Sequence, residues 1–355
     1  MFGFSVFLND EIDEDYLQSM LAAGFSGIFT SIHIPEEDVS HYKQRLAQLG
    51  TFARNHHLEL MVDISRDALG KLGASSQHVG PLVDLGISGL RIDYGIDWQD
   101  VAEISHQLKV ALNASTLQQS DIDALKSFQA DFTSIEAWHN YYPRPETGVD
   151  SDYLLARNQW LKANHLPVTA FVAGDNDKRG PLYKGLPTLE VHRDLLPLAG
   201  ALALIQDYCC DHVYIGDPGL SASSRDQFVT YIDENSISLS AQSLVAGHTD
   251  WLDHIQKPHS NRLDPARDVV RSQEARLRPL VKPIVALNTI ERPIGAITID
   301  NEGYQRYQGE VQIVKRALAA DDKVNVVGQV KFSHLPLINQ IGPGQKFEIR
   351  MEAFN

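Results

Sequence analysis

Several large protein classes are excluded by what this sequence lacks. Cysteine occurs only twice, at Cys209 and Cys210, adjacent to each other and at no zinc or redox spacing. No disulfide framework can be built from that pair. The expectation is two reduced, half-buried thiols in a cytoplasmic protein. Long apolar runs are missing as well. The longest, LLPLAGALALI at 195–205, is well short of the ~20 residues that cross a bilayer and reads as a buried helix. The N-terminal MFGFSVFLND carries no basic segment and no cleavage site, so no secretion signal is expected. Positive charge is scarce: Lys+Arg 31 stand against Asp+Glu 46, a net charge of −15. A nucleic-acid or anionic-membrane partner needs a basic face, so neither is expected. A small anionic ligand is not excluded, because a few local cations suffice to hold one.

Catalytic signatures are also absent. There is no HExxH and no HxH on the first apolar run, so no metal site is expected. Neither GxGxxG nor GxxxxGK[ST] occurs, which removes dinucleotides and nucleoside triphosphates; no cofactor is expected. No GxSxG elbow appears, and no apolar run ends in the lysine that a Schiff base requires.

What is present is an alternation of two periods. Of the 355 residues, 43 % are hydrophobic, normal for a globular chain. Short apolar runs lie at 2–8, 24–32, 58–64, 87–94, 109–115, 132–138, 167–174 and 211–217. Most are separated by segments of helical spacing, such as EDYLQSMLAAG (14–24), where Leu17, Met20 and Leu21 share a face. Eight strands with crossovers predict an α/β fold, a (β/α)8 barrel over 1–235, with the third and fifth crossovers its weakest helices. The texture changes beyond about residue 235. Strand-like runs at 283–288, 294–300, 325–332 and 346–354, with one helical stretch at 309–319, predict a smaller β-rich domain over 236–355.

In such a barrel the active site lies at the C-terminal ends of the strands. That rule singles out His33, Asp63, Ser65, Arg91, Asp93, Tyr94, Glu136 and Asp217, and two long loops. One is HNYYPRPETG (139–148), stiffened by Pro143 and Pro145; the other runs over 176–193. Together the loops bring Arg144, Lys178, Arg179, Lys184 and Arg193 to one rim. These cations form either an anion site or a solvated rim paired with Asp175, Asp177 and Glu190. Asp63 and Asp93, on neighbouring runs about 4.8 Å apart, suit the carboxylate spacing of glycoside hydrolysis. A carboxyl among apolar walls would be raised toward a general acid. The bland reading is a helix cap, or an ion pair with Arg91. His139 either contacts substrate or holds its loop.

The stretches HNYYPRPETG, GLPTLEVHR (185–193) and GAITIDNEGYQRYQGEVQIVKRA (295–317), with GFSVFLND and GFSGIFTSIHIPEED before them, resemble the 6-phospho-N-acetylmuramidase family. This resemblance covers nearly the whole chain. It implies a TIM barrel followed by a cyclophilin-like β-barrel, and hydrolysis of the bond between 6-phospho-N-acetylmuramic acid and N-acetylglucosamine in peptidoglycan recycling. The implied partner is a phosphorylated amino-sugar disaccharide; a homodimer stays open. By motif, His139, Asn140, Tyr141, Arg144, Thr147, Gly148, Thr188, Glu190, His192 and Arg193 would belong to the active-site loops. Asp63 and Asp93 are the inferred catalytic acids, with Glu190 and Glu136 as competitors. Arg179 and Asp217 complete the candidate binding set. The alternatives are another phosphosugar enzyme, an isomerase or lyase with a single base, and a non-catalytic sensor of cell-wall sugar phosphates. In the second domain, Asp300, Asn301, Tyr307 and Glu310 have either a site role or a structural one.

Overall fold

A computed structural model describes residues 1–32, 42–64, 66–92, 95–280 and 282–352 of the protein. His33, Ser65, Asp93 and Tyr94 lie outside the described residues. The chain divides into two compact units, Met1–Arg225 and Asp226–Asn355. The division falls inside the helix Ala222–Glu234, ahead of the boundary expected at 235.

The first unit is a closed barrel of eight parallel strands in chain order. They are β1 (Phe2–Ser5), β2 (Gly27–Ser31), β3 (Glu59–Ile64), β4 (Gly89–Ile92), β5 (Lys109–Asn113), β6 (Ile135–Trp138), β7 (Val168–Val172) and β8 (His212–Ile215). β8 closes onto β1, with Gly3 opposite Tyr214. The strands are short and almost wholly buried, as a sheet covered on both faces requires. Helices cross between them. Asp13 and Asp150 cap two of these, Asp13 accepting from the backbone N–H of Tyr16 and Asp150 from those of Asp152 and Tyr153. The apolar run at 195–205 forms the helix Pro197–Gln206, buried from Pro197 to Leu204.

Alternate residues of each strand point inward, so the barrel interior is layered. Its middle layer is Phe29, Met61, Ala111, Trp138, Phe171 and Tyr214. The Trp138 and Tyr214 rings are 4.6 Å apart and the Phe29 and Phe171 rings 5.2 Å. Tyr214 occupies the space beside Gly3 and Gly27. A Cβ at either glycine would lie 2.2 Å from its side chain, so no other residue fits. At the N-terminal end of the barrel, Lys109 bridges Glu59 at 2.7 Å and Glu136 at 2.8 Å.

The second unit holds β9 (Ser236–Ser243), β10 (His259–Ser260), β11 (Val269–Arg271), β12 (Ala296–Asp300), β13 (Val311–Val314), β14 (Val324–Val330) and β15 (Lys346–Glu352). They form one sheet in the order β10-β15-β9-β14-β12-β13-β11, antiparallel except for the pair β9 and β15. Backbone bonds from Arg262 to Arg271 and from Gln273 to Ser260 join the edges, leaving a nearly closed seven-stranded barrel.

Two expectations are corrected here. The stretch 309–319 contains a strand, β13, rather than a helix. Val311, Ile313 and Val314 are buried and the segment pairs with β12 and β11, so period-two burial overrides its helical composition. Residues 283–288 form no strand. Their backbone bonds to a side chain instead: Asn325 Nδ2 donates to the Val285 carbonyl at 2.8 Å, and Leu287 N donates to Asn325 Oδ1 at 3.1 Å.

Candidate active site

Register brings the first candidate pair together. Asp63 on β3 stands opposite Ser31 on β2 and Arg91 on β4. Arg91 Nη1 donates to Asp63 Oδ1 at 2.9 Å, and Ser31 Oγ to Oδ2 at 3.3 Å. Arg91 Nη2 donates to the side-chain oxygen of Asn140, the second residue of the loop after β6. Asp63 is 7 % exposed and Arg91 4 %. A guanidinium buried to this degree is held by its carboxylate, and breaking such a pair by removing one partner is costly. Asp63, Arg91 and Asn140 thus form one chain of charge-assisted bonds at the C-terminal mouth of the barrel.

The loop that carries Asn140 is fastened to the loop after β7. Thr188 Oγ1 donates to the Asn140 carbonyl and accepts from Phe171 N, both at 2.9 Å. Glu190 is the main fastening. Its Oε1 accepts from Glu146 N at 2.8 Å and its Oε2 from Gly148 N at 2.7 Å. Arg193 adds two bonds to the same carboxylate at 2.7 and 2.6 Å. The Arg193 guanidinium and the two loop amides hold the Glu190 carboxyl down at about 2. A Cβ at Gly148 would lie 2.5 Å from Glu190 Oε2, so only glycine permits this approach. Thr147 Oγ1 donates to the Arg144 carbonyl at 2.6 Å, tightening the same turn.

Arg193 itself is buried. Its Nη1 donates to the carbonyls of Tyr142 and Gly185, each at 3.0 Å. The structure therefore puts Glu190 and Arg193 into a loop staple. Asp217 acts likewise after β8. Its Oδ2 accepts from Gly174 N and Leu186 N at 2.9 Å, and its Oδ1 from Arg179 N at 3.1 Å. Burial pushes its carboxyl up. Glu136 sits at the opposite end of the barrel, bound to Lys109 and to Trp138 Nε1.

His139 is fully buried. Asn158 Nδ2 donates to the Tyr208 carbonyl at 2.6 Å, which turns its Oδ1 toward His139 Nε2 at 2.7 Å. Nε2 is thus the protonated nitrogen, and Nδ1 is an acceptor with no partner among the described residues. Burial lowers this imidazole to about 4, so at neutral pH it neither carries charge nor gives up a proton. His192 is also buried and lowered to about 4; it packs against Tyr208 and lines neither cavity described below.

These elements enclose a cavity of about 540 Å³. Phe29, Tyr141 and Phe171 form its apolar floor, the Tyr141 ring standing edge-on to the other two at 6.2 and 5.3 Å. Asp63, Arg91, His139 and Asn140 line its polar wall, and Arg179, Gly180 and Pro181 another side. Among the described residues Asp63 is the one carboxylate on it. A second cavity of about 430 Å³ shares Arg179, Gly180 and Pro181 and adds Phe7, Tyr16 and Lys178. Arg179 lies over the Phe7 ring at 4.0 Å. The expected rim of five cations therefore separates: Arg179 and Lys178 face cavities, Arg144 and Lys184 are exposed, and Arg193 is scaffold. Asn158 had no sequence signal, and Phe29 and Phe171 read as ordinary core. Among the described residues no group of three or more His, Cys, Asp or Glu could hold a metal ion. No helix there is long and apolar enough to cross a membrane.

The family model for the N-terminal part of 6-phospho-N-acetylmuramidase matches residues 2–230, and that for the C-terminal part matches 243–350. A crystal structure of a conserved Enterococcus faecalis protein of unknown function is 43% identical, covering 99% of this chain and 96% of its own, with a TM-score of 0.90. A second, of an uncharacterized B. cereus protein, is 23% identical over 98% of this chain and 99% of its own; its TM-score of 0.77 shows a shared fold. No curated protein matches the chain. Both units carry the pattern of one family in order, and this chain belongs to the 6-phospho-N-acetylmuramidase family.

Proposed function

We propose that the protein is a glycoside hydrolase of peptidoglycan recycling in the cytoplasm, cleaving 6-phospho-N-acetylmuramic acid from the N-acetylglucosamine that follows it. The observation that carries this reading is the cavity at the C-terminal mouth of the barrel, where Asp63 stands beside an aromatic floor in a chain of this family. An apolar floor suits the face of a pyranose ring, and the polar wall suits its hydroxyl and acetamido groups. Asp63 already accepts from Arg91 and Ser31, so its role is that of a carboxylate: it attacks the anomeric carbon or stabilises the oxocarbenium-like transition state. Arg91 and Asn140 fix its position. Arg179, shared by the two cavities, faces an anionic group of the substrate, and buried His139 holds the wall behind Asn140. Asp93 remains the candidate partner acid.

The test is incubation with 6-phospho-N-acetylmuramyl-N-acetylglucosamine, with products followed by mass spectrometry and the first-formed anomer by NMR. Release of both monosaccharides is expected. No cleavage anywhere between about pH 5 and 8 would sink the reading.

A further inference from the structure

The second unit carries a cluster of arginines that the hydrolase reading does not use. Arg262, Arg271, Arg276 and Arg306 surround a cleft of about 470 Å³ with Tyr307 and Leu277. In a chain of net charge −15 such a gathering needs a reason. Two of the four are matched. Arg271 makes a two-pronged pair with the buried Glu310 at 2.8 and 3.0 Å, and Gln312 also donates to that carboxylate at 2.8 Å. Arg262 pairs with Asp264 at 2.9 and 3.2 Å. Arg276 and Arg306 have no carboxylate partner among the described residues. They stand 5.6 and 4.8 Å from the centre of the Tyr307 ring, and Arg306 Nη2 donates to the Tyr307 hydroxyl at 2.7 Å.

Four guanidinium charges less two carboxylates leave a surplus of two at the cleft. A carboxylate ligand would neutralise one of them. A phosphomonoester carries roughly −1.5 to −2 at neutral pH and offers three acceptor oxygens, which is the match. Planar guanidinium forks bind such oxygens in pairs. The site is also built before a ligand arrives, because Glu310 fixes Arg271 from beneath and the Tyr307 ring fixes Arg276 and Arg306. Asp300 stands near Glu310 but does not line the cleft.

We propose that this arginine cleft is a second anion site, taking the phosphomonoester group of a small soluble ligand independently of the barrel cavity. The test is calorimetric titration of the full chain with inorganic phosphate and with glucose 6-phosphate, against sodium chloride at matched ionic strength. The wild-type protein is expected to bind both probes saturably, and Arg179→Gln, altered at the barrel cavities, to retain that binding. Arg276→Gln/Arg306→Gln is expected to weaken it roughly tenfold or more. Arg306 is exposed, so Arg306→Gln alone serves as the variant whose folding is secure, with a smaller loss expected. Binding that chloride abolishes equally, or that survives in both the single and the double variant, would overturn the proposal. Loss of all binding in Arg179→Gln would do the same, and would leave the hydrolase reading untouched.

Discussion

The two ends of the first barrel hold the same kinds of residue and use them differently. At the N-terminal end Lys109 lies between Glu59 and Glu136, and Trp138 Nε1 donates to Glu136 as well. Burial alone would lower the Lys109 ammonium, but Glu136 and Glu59 outweigh it and hold it above its ordinary range. These charges answer one another, and the aromatic layer covers them. At the C-terminal end Asp63 and Arg91 also pair, but their chain continues to Asn140, a loop residue, and all three line a cavity. An ion pair inside a barrel is therefore no sign of function by itself. What distinguishes the C-terminal end is an opening beside the pair and a loop tied to it.

That contrast can be broken by substitution. The largest stability effect belongs to Arg91→Met, which removes the guanidinium paired with the buried Asp63. A loss of about 3–5 kcal/mol is expected in denaturant unfolding, together with loss of turnover. Glu190→Gln comes next. It leaves the Arg193 guanidinium uncompensated and weakens two loop amide bonds, at a cost of about 2 kcal/mol and with a rise in KM as the Asn140 loop loosens. Its pH signature is specific. The Glu190 carboxyl is depressed from 4.5 to about 2, so its stabilisation is fully present above 4.5 and disappears as pH falls through about 2. Acid titration of wild type against the variant should show the gap closing over that window; a constant gap would mean that the charge of Glu190 does not supply the stabilisation. The smallest effect belongs to Glu136→Gln. Lys109 keeps Glu59, so about 1 kcal/mol of stability is lost and kcat stays unchanged.

Much of the barrel was legible in the sequence because each strand is a short apolar run bounded by polar loop residues, a local signal. The second unit was less legible. β9 reads SISLSAQS, whose serines mask the alternation of Ile237, Leu239 and Ala241, all buried. β13 sits in a stretch of helical composition and becomes a strand only because β11 and β12 flank it. At the candidate site, Asp63 and the loop motifs stood out because acids and prolines are conspicuous beside apolar runs. The division of labour did not. Whether Glu190 faces a ligand or staples a loop depends on Gly148 and Arg193 lying within reach, which spacing cannot reveal. Likewise Asp63 and Glu136 both interrupt apolar strands and share a row of paired residues, and which end of the tilted barrel each faces shows only in its partners, Arg91 or Lys109.

The most direct test sets the two ends side by side: kcat for the 6-phospho-muramyl disaccharide in Asp63→Asn and in Glu136→Gln, each confirmed folded by its melting transition. The account predicts a fall of roughly 10³-fold or more for Asp63→Asn, with substrate still bound, and wild-type turnover for Glu136→Gln. Equal activity in the two variants, or a greater loss from Glu136→Gln, would contradict it.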